Sequence, residues 1–235
     1  MKNNINNKVI IITGGSRGIG RALVIEFVKL GASVFFTYKN NTKAAEETIQ
    51  LSKNYNNIAQ GAKICVTDFM GMSGLFRTIK KHKGKIDILI NNAAIFKLGR
   101  IGFSRPSEWD EMIKVNLLGV INCCHIISKI MISQKSGYII NISSSAAYEN
   151  YEGQVVYNAT KAAVNTVTSS LSCELNRFGI NVFGIAPSLV YTDMIRGQKL
   201  KKISDHFISP SDVVHSILNV LNQNIHINQG ETIRI

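Results

Sequence analysis

The sequence predicts an α/β protein: one Rossmann-type domain over residues 1–235, with a doubly wound seven-stranded parallel sheet and helices on both faces. Three observations predict this fold. Short apolar runs alternate with amphipathic stretches along the whole chain. The runs Val9–Ile12 and Ile86–Ile90 are almost continuously apolar, as is typical of strands that are buried on both faces. The length of 235 residues suits one such domain.

The elements are predicted in order along the chain. In the first half, apolar runs predict strands and amphipathic stretches predict helices, in the order Lys8–Thr13, Ile19–Leu30, Ser33–Thr37, Lys43–Lys53, Ala62–Thr67, Ser73–His82 and Ile86–Asn91. In the second half the same alternation begins with a helix and continues as Ser107–Gln134, Tyr138–Ser143, Tyr157–Phe178, Ile180–Ala186, Ser211–Asn222 and Thr232–Ile235. Ligands bind beyond the carboxyl ends of the strands in sheets of this kind, so functional residues should follow strands directly.

The formal net charge of +12 favours anionic partners, such as a phosphorylated cofactor or an acidic protein. The basic residues are scattered, and a solvated surface is the preferred interpretation of the two densest clusters, Lys80–Lys85 and Lys199–Lys202. No nucleic-acid-binding motif accompanies them, so nucleic acid is not an expected partner.

Targeting and metal-binding signals are not recognised in the sequence. Met1–Asn7 form a polar tail without the apolar core of a signal peptide, and no run approaches the roughly 18–20 apolar residues of a membrane span. We therefore expect a cytoplasmic protein without a membrane partner. The four cysteines form no C-x-x-C pair and no Cys/His cluster has metal-site spacing, so no metal is expected.

A glycine-rich segment, Thr13–Gly20, joins the first predicted strand to the first helix. Gly14, Gly18 and Gly20 allow a tight turn and a close approach of the backbone to a pyrophosphate. The following helix N-terminus offers free N–H groups to the same anion. A glycine turn needed only for packing is the alternative, but the position between strand and helix favours dinucleotide binding.

The end of the second strand distinguishes the two nicotinamide dinucleotides. NAD-binding proteins carry an acidic residue about 20 residues beyond the glycine loop, where it binds the ribose 2′-hydroxyl. This sequence instead has Tyr38, Lys39 and Asn40 there, with no carboxylate. Arg17, together with Lys39 or Asn40, would suit a 2′-phosphate, so we expect NADP(H). Plain surface exposure of both cations is the alternative.

Tyr157 and Lys161 lie four residues apart near the start of a predicted helix and therefore share one of its faces. A nearby ammonium lowers a tyrosine pKa, which would make Tyr157 a general acid/base for a carbonyl oxygen. Ser143–Ser145 follow a strand, and their hydroxyls could polarise the same oxygen. Asn116 interrupts an apolar helix, and its buried amide must find partners, a water among them. Each residue alone has a structural explanation as a cap or a core hydrogen bond.

Together these motifs resemble those of the short-chain dehydrogenase/reductase family, in order from about Lys8 to the end of the sequence. The cofactor motif of that family is similar to Thr13–Gly20, and its Asn-Asn-Ala-Gly motif is similar to Asn91–Ala94. Its active-site signature is similar to Tyr157–Lys161. The family's serine lies thirteen residues before the tyrosine, which implies Ser144.

The resemblance implies a role for each matched residue. Ser144 would hydrogen-bond the substrate oxygen, Tyr157 would donate a proton, and Lys161 would bind the nicotinamide ribose and lower the tyrosine pKa. Asn116 would position a water for proton relay. Asp68 would contact the adenine. The implied cofactor contacts are Gly14, Ser16, Arg17, Gly18, Ile19, Gly20, Lys39, Asp68, Asn92, Ala93, Tyr157, Lys161, Pro187, Val190 and Thr192.

Within that family the sequence is most similar to the bacterial 3-oxoacyl-[acyl-carrier-protein] reductases of fatty acid biosynthesis. The resemblance implies a carbonyl substrate, free or carrier-bound, an acyl carrier protein partner that contacts Lys135, and a homodimer or homotetramer. Two departures stand out: a substrate lid at residues 193–209 that is shorter than usual, and Ser188 in place of glycine. A short lid indicates a more open site or a substrate other than a long acyl chain.

Two other functions stay open at this point. The first is a reductase or dehydrogenase of the same family that acts on a sugar, a polyketide or a small ketone or alcohol. The second is a non-catalytic dinucleotide-binding regulator. The complete set of Asn116, Ser144, Tyr157 and Lys161 argues against the second.

Overall fold

The computed structural model describes residues 5–55, 57–192 and 207–235. Seven strands form one sheet in the order β3-β2-β1-β4-β5-β6-β7. They are β1 (Val9–Ile12), β2 (Ser33–Tyr38), β3 (Gln60–Lys63), β4 (Ile88–Asn91), β5 (Gly137–Ile142), β6 (Ile180–Ala186) and β7 (Thr232–Arg234), and all neighbours pair in parallel. The order turns from β3-β2-β1 to β4-β5-β6 beside β1, which is the switch point of a doubly wound fold. The predicted fold class is therefore confirmed.

Seven α-helices cover the sheet in the described part of the chain. They are α1 (Gly18–Lys29), α2 (Thr42–Ser52), α3 (Phe69–Lys83), α4 (Pro106–Ile113), α5 (Gly119–Gln134), α6 (Val155–Leu175) and α7 (Pro210–Leu221). Short 3₁₀ turns lie after β5, at Ser145–Ala147, and after α6, at Asn176–Phe178.

Two apolar cores lie on opposite faces of the sheet. Successive side chains of β1 alternate between them: Ile10 and Ile12 pack in the core that includes α1 and α7, whereas Val9 and Ile11 pack in the core with α3 and α5. Because both faces are covered, every residue of β1 is buried. This alternation explains why the strand is apolar without a period-two pattern.

The third strand begins and ends earlier than the predicted Ala62–Thr67. β3 pairs only with β2, and its last ladder position, Lys63, lies opposite Tyr38, the last residue of β2. No β2 residue remains to continue the pairing, so the apolar residues that follow leave the sheet. They line a cleft instead.

The helical stretch predicted at Ser107–Gln134 runs from Pro106 to Gln134 but changes its winding in the middle. Lys114–Leu118 form a π-helical segment between α4 and α5. The whole stretch from Pro106 to Gln134 is long and apolar enough to cross a membrane. Half of its most apolar window is buried within the fold, as in the core helix of a globular protein, so it is weak evidence for a membrane span.

The predicted lid at residues 193–209 and the lysines at 199–202 lie largely outside the described residues. The described ends of the lid meet: Ile208 N–H donates to the Leu189 carbonyl at 3.0 Å, and Tyr191 N–H donates to the Ile208 carbonyl at 3.3 Å. Ile208 therefore lies beside Leu189–Tyr191, next to the cleft.

Candidate functional site

A cleft of about 390 Å³ opens at the carboxyl ends of the strands. Its walls come from the glycine loop after β1, the ends of β2 and β3, the segments after β4, β5 and β6, and the start of α6. All but two of the predicted site residues line it: Gly14, Ser16, Arg17, Gly18, Ile19, Gly20, Lys39, Asn92, Ala93, Ser144, Tyr157, Lys161, Pro187, Val190 and Thr192. The exceptions are Asp68 and Asn116.

The glycine loop is held in place by the segment after β4. Thr13 Oγ1 accepts the backbone N–H groups of Asn92 and Ala93, each at 3.0 Å. The Asn92 amide donates to the carbonyls of Thr13 at 2.9 Å and Gly14 at 3.1 Å. Asn92 lines the cleft, and its side-chain amide holds the glycine loop in position.

Gly14 has a left-handed backbone with φ of +69°, and a Cβ there would lie 2.9 Å from the Cα of Ala93. Gly18 is also left-handed, with φ of +54°, and opens α1. The first turn of α1 thus directs its free N–H groups at the cleft. The loop with these two left-handed glycines forms a backbone cradle, and a Cβ at either glycine would crowd Ala93 or Thr192.

Arg21 stabilises this loop from behind, a role the sequence did not indicate. Its guanidinium donates to the Ser16 carbonyl at 2.9 and 3.1 Å, to the Ala44 carbonyl at 3.0 Å and to Thr48 Oγ1 at 2.9 Å. It also pairs with Glu47. Arg17, in contrast, is exposed on the cleft wall and makes no ion pair with any residue that the structure describes.

Lys39 lies at the mouth of the cleft, directly after β2. Its ammonium pairs with the carboxylate of Glu111 on α4, with Nζ 3.1 Å from Oε1. The other carboxylate oxygen of Glu111 lies 2.8 Å from Lys97 Nζ. Both lysines hydrogen-bond this carboxylate, which lowers the pKa of Glu111. Glu111 was not predicted as a site residue, because no local pattern links it to Lys39.

Asp68 caps α3 and is not among the described residues that line the cleft. Its carboxylate accepts the Gly71 N–H at 2.9 Å. The cleft wall at this place consists of Ile64, Cys65 and Val66. The predicted adenine contact of Asp68 stays a prediction, and the structure shows a helix cap at this position.

Asn116 lies behind the cleft, buried in the π-helical segment. Its Oδ1 accepts the Ile95 N–H at 2.8 Å, and its Nδ2 donates to the Ile95 carbonyl at 2.9 Å and to Thr160 Oγ1 at 3.3 Å. The role of Asn116 in positioning a water stays a prediction. Asn116 ties the segment after β4, which lines the cleft, to α6.

Ser144, Tyr157 and Lys161 meet at the centre of the cleft. Ser144 and Tyr157 both line the cleft, and Phe96 packs edge-on against the Tyr157 ring, with centroids 4.9 Å apart. The Lys161 ammonium lies 5.8 Å from the Tyr157 ring centroid and donates to the Ile142 carbonyl at 2.8 Å. The predicted trio is therefore brought together on one wall.

The expected lowering of the Tyr157 pKa is wrong for this structure. Desolvation of the hydroxyl raises the pKa of Tyr157 to about 12, although the hydrogen bond with Ser144 acts in the opposite direction. Burial also lowers the pKa of Lys161 to about 8. A neighbouring positive charge favours tyrosinate, but both groups are removed from water here, and desolvation is the larger effect on the Tyr157 pKa.

The part of the cleft beside Tyr157 is bounded by mixed side chains. Phe96 and Leu189 supply apolar walls. Gln154, three residues before Tyr157, is a buried polar side chain that also lines the cleft. It was missed in the sequence because a single glutamine carries no spacing signal.

Comparisons with known proteins agree with this arrangement. The family model of short chain dehydrogenases matches residues 8–202. An uncharacterized oxidoreductase of Staphylococcus epidermidis is 31% identical over 231 residues, which cover 98% of each chain. A 3-oxoacyl-[acyl-carrier-protein] reductase of the same species is 30% identical over 242 residues, covering 95% of this chain and 98% of that protein.

A solved structure of similar shape is a short-chain dehydrogenase/reductase from Serratia marcescens. It has a TM-score of 0.90 and 25% identity, covering 99% of this chain and 97% of that one. The family model alone spans most of the sequence, and the relatives align along nearly their whole length. The chain therefore belongs to the short-chain dehydrogenase family of oxidoreductases, whose members bind a nicotinamide dinucleotide.

Proposed function

We propose that the protein is an NADP(H)-dependent reductase that converts a carbonyl group to an alcohol. The observation that carries this proposal is the meeting of Ser144, Tyr157 and Lys161 in the cleft that also contains the glycine loop. A cleft of this composition holds a proton donor, a second hydroxyl and a cation beside a dinucleotide cradle. These are the groups that carbonyl reduction requires from the protein.

The residues present fit a bound dinucleotide. Gly14 and Gly18 hold the loop in left-handed conformations close to Ala93 and Thr192, and the first residues of α1 line the cleft. When bound, the nicotinamide would supply the hydride. Pro187, Val190 and Thr192 line the cleft after β6 and would flank the nicotinamide end.

NADP(H) is the proposed cofactor because the described cleft wall after β2 is cationic and carries no carboxylate. Tyr38, Lys39, Asn40 and Asn41 line it, and Arg17 lies in the adjoining loop. A guanidinium binds a phosphate through several charge-assisted hydrogen bonds, and an ammonium adds a point charge. A 2′-phosphate would find both groups here, whereas the segment after β2 offers a free 2′-hydroxyl no carboxylate acceptor of its own.

Proton delivery is assigned to Tyr157. With a pKa near 12, its hydroxyl stays protonated at neutral pH and can donate to the oxygen of a carbonyl that accepts hydride. Ser144 would hydrogen-bond the same oxygen. The tyrosinate that forms would lie near the Lys161 ammonium, which favours the negative charge.

The proposed substrate is a 3-oxoacyl thioester carried by an acyl carrier protein. One relative is a reductase of that substrate class, at 30% identity. The net charge of +12 would also suit an acidic carrier. Lys135 is exposed, in a left-handed conformation between α5 and β5, and would contact the carrier.

The test measures NADPH consumption with acetoacetyl thioesters and a panel of small ketones, comparing wild type with Tyr157→Phe. Tyr148→Phe removes an equivalent hydroxyl from an exposed tyrosine outside the cleft and serves as the control. Thioester turnover that is lost only in Tyr157→Phe supports the proposal. Turnover of another ketone alone would retain the mechanism and replace the substrate, and NADPH binding without any turnover would contradict the reductase function.

A further inference from the structure

Lys39 and Glu111 reach the same part of the cleft from different elements of the fold. Lys39 follows β2, Glu111 lies on α4, and both residues line the cleft. Their ion pair, with Nζ 3.1 Å from Oε1, therefore lies at the end of the cleft where the ribose phosphate is proposed to bind. Because the two residues are 72 positions apart, the contact is a product of the fold.

Glu111 is shared by two ammonium groups. Its second oxygen lies 2.8 Å from Lys97, so the cluster contains two positive charges and one negative charge. The ammonium of Lys39 is therefore already paired with the carboxylate of Glu111. The other proposed phosphate ligand, Arg17, makes no ion pair with the described residues and is free to bind an anion.

We propose that Glu111 sets the preference between the phosphorylated and the unphosphorylated nicotinamide dinucleotide by competing with the 2′-phosphate for Lys39. This inference rests on the proposed function. A 2′-phosphate must separate Lys39 from Glu111 or accept the carboxylate as a neighbour. An unphosphorylated ribose makes neither demand and leaves the ion pair intact.

Lys97 limits this competition. By binding the opposite oxygen of Glu111, it holds the carboxylate on its own side when Lys39 turns to a phosphate. Removal of Lys97 would leave Lys39 as the one cation among the described residues that pairs with Glu111, and the competition would become stronger. The side chains of Lys39, Lys97 and Glu111 are 48%, 38% and 38% exposed, so solvent screens the pairs and the effects should be several-fold.

The experiment measures the dissociation constants of NADP⁺ and NAD⁺ by calorimetry for wild type, Glu111→Gln and Lys97→Gln. Asp110→Asn is the matched control, because it removes one negative charge from the next residue of α4, which pairs with Lys114 and does not line the cleft. We expect Glu111→Gln to bind NADP⁺ about 3- to 10-fold more tightly. NAD⁺ binding should stay within about twofold, and Asp110→Asn should resemble wild type with both cofactors.

Two further variants show whether the effect passes through Lys39. Lys39→Met alone should weaken NADP⁺ binding, and Glu111→Gln should give no gain in the Lys39→Met background. Lys97→Gln should weaken NADP⁺ binding more than NAD⁺ binding. Thermal unfolding without cofactor checks that all variants are folded.

Three results would overturn the inference: equal changes for NADP⁺ and NAD⁺ in Glu111→Gln, a gain of the same size in Asp110→Asn, or a gain that persists without Lys39. Each would leave the proposed reductase intact. Failure of the proposed function has different signatures: wild type would bind neither cofactor, or it would bind NADPH and reduce no carbonyl compound.

Discussion

Lys161 donates a hydrogen bond from Nζ to the carbonyl oxygen of Ile142, 2.8 Å away, at the last residue of β5. This bond holds a buried ammonium at the carboxyl end of β5, 5.8 Å from the centroid of the Tyr157 ring. Burial disfavours the charged form and lowers the pKa of Lys161 to about 8. The residue assigned to the reaction is therefore also an energetic burden on the folded chain.

Lys161→Met should stabilise the cofactor-free protein at pH 7 and abolish turnover. A lysine pKa lowered from 10.5 to about 8 corresponds to a cost on the order of 1–3 kcal/mol below the folded-state pKa. The unfolded chain binds more protons between these two values, so wild-type stability should rise from about pH 8 toward pH 10 relative to Lys161→Met. Urea unfolding across this range measures the slope, and parallel curves for the two proteins would refute the prediction.

Tyr157→Phe should show the opposite dependence. The raised tyrosine pKa means that the folded chain holds its proton between pH 10 and about 12, where the unfolded chain has lost it. Wild-type stability should therefore fall above pH 10 more steeply than that of Tyr157→Phe. The same urea titration detects this, and Tyr148→Phe should follow wild type throughout.

Asn116→Ala should lower both stability and turnover. It removes both hydrogen bonds to the Ile95 backbone and leaves those partly buried groups without the amide, at a cost of about 2–3 kcal/mol. Asn122→Ala, which removes one bond of 3.3 Å to the Val66 carbonyl, should cost less than about 1 kcal/mol. Chemical denaturation and NADPH oxidation assays compare the two, and equal losses would mean that Asn116 has no special positioning role.

Gly14→Ala should weaken dinucleotide binding and destabilise the fold by about 1–3 kcal/mol. The residue has φ of +69°, and the new methyl would lie 2.9 Å from the Cα of Ala93. Gly74→Ala is the control: it lies within α3, nothing lies within 4 Å of its Cβ position, and it should stabilise by up to about 1 kcal/mol. Thermal unfolding measures the loss of stability, and cofactor titration measures the loss of binding. Normal cofactor affinity in Gly14→Ala would contradict the proposed role of the glycine loop in dinucleotide binding.

The sequence was sufficient to predict those features that depend on a local pattern of residues. The glycine loop, the Tyr157/Lys161 pair and most strands could be predicted because each depends on residues close together in the chain. The end of β3 could not, since the partner strand β2 decides where the ladder stops. The raised pKa of Tyr157 depends on burial, and the Lys39–Glu111 pair joins two segments that only the fold brings together.

The π-helical turn at Lys114–Leu118 has a consequence for chain length at this point. Such a turn accommodates one residue more than a regular α-helix of the same rise. Deleting one residue within Lys114–Leu118 would restore regular α-helical winding and leave α4 and α5 in their present relative orientation. Deleting one residue within α4 or α5, where the winding is regular, would rotate the parts of the helix on either side by about 100° relative to each other. The helix from Pro106 to Gln134 therefore tolerates the loss of a residue better at its π-helical turn than elsewhere along its length.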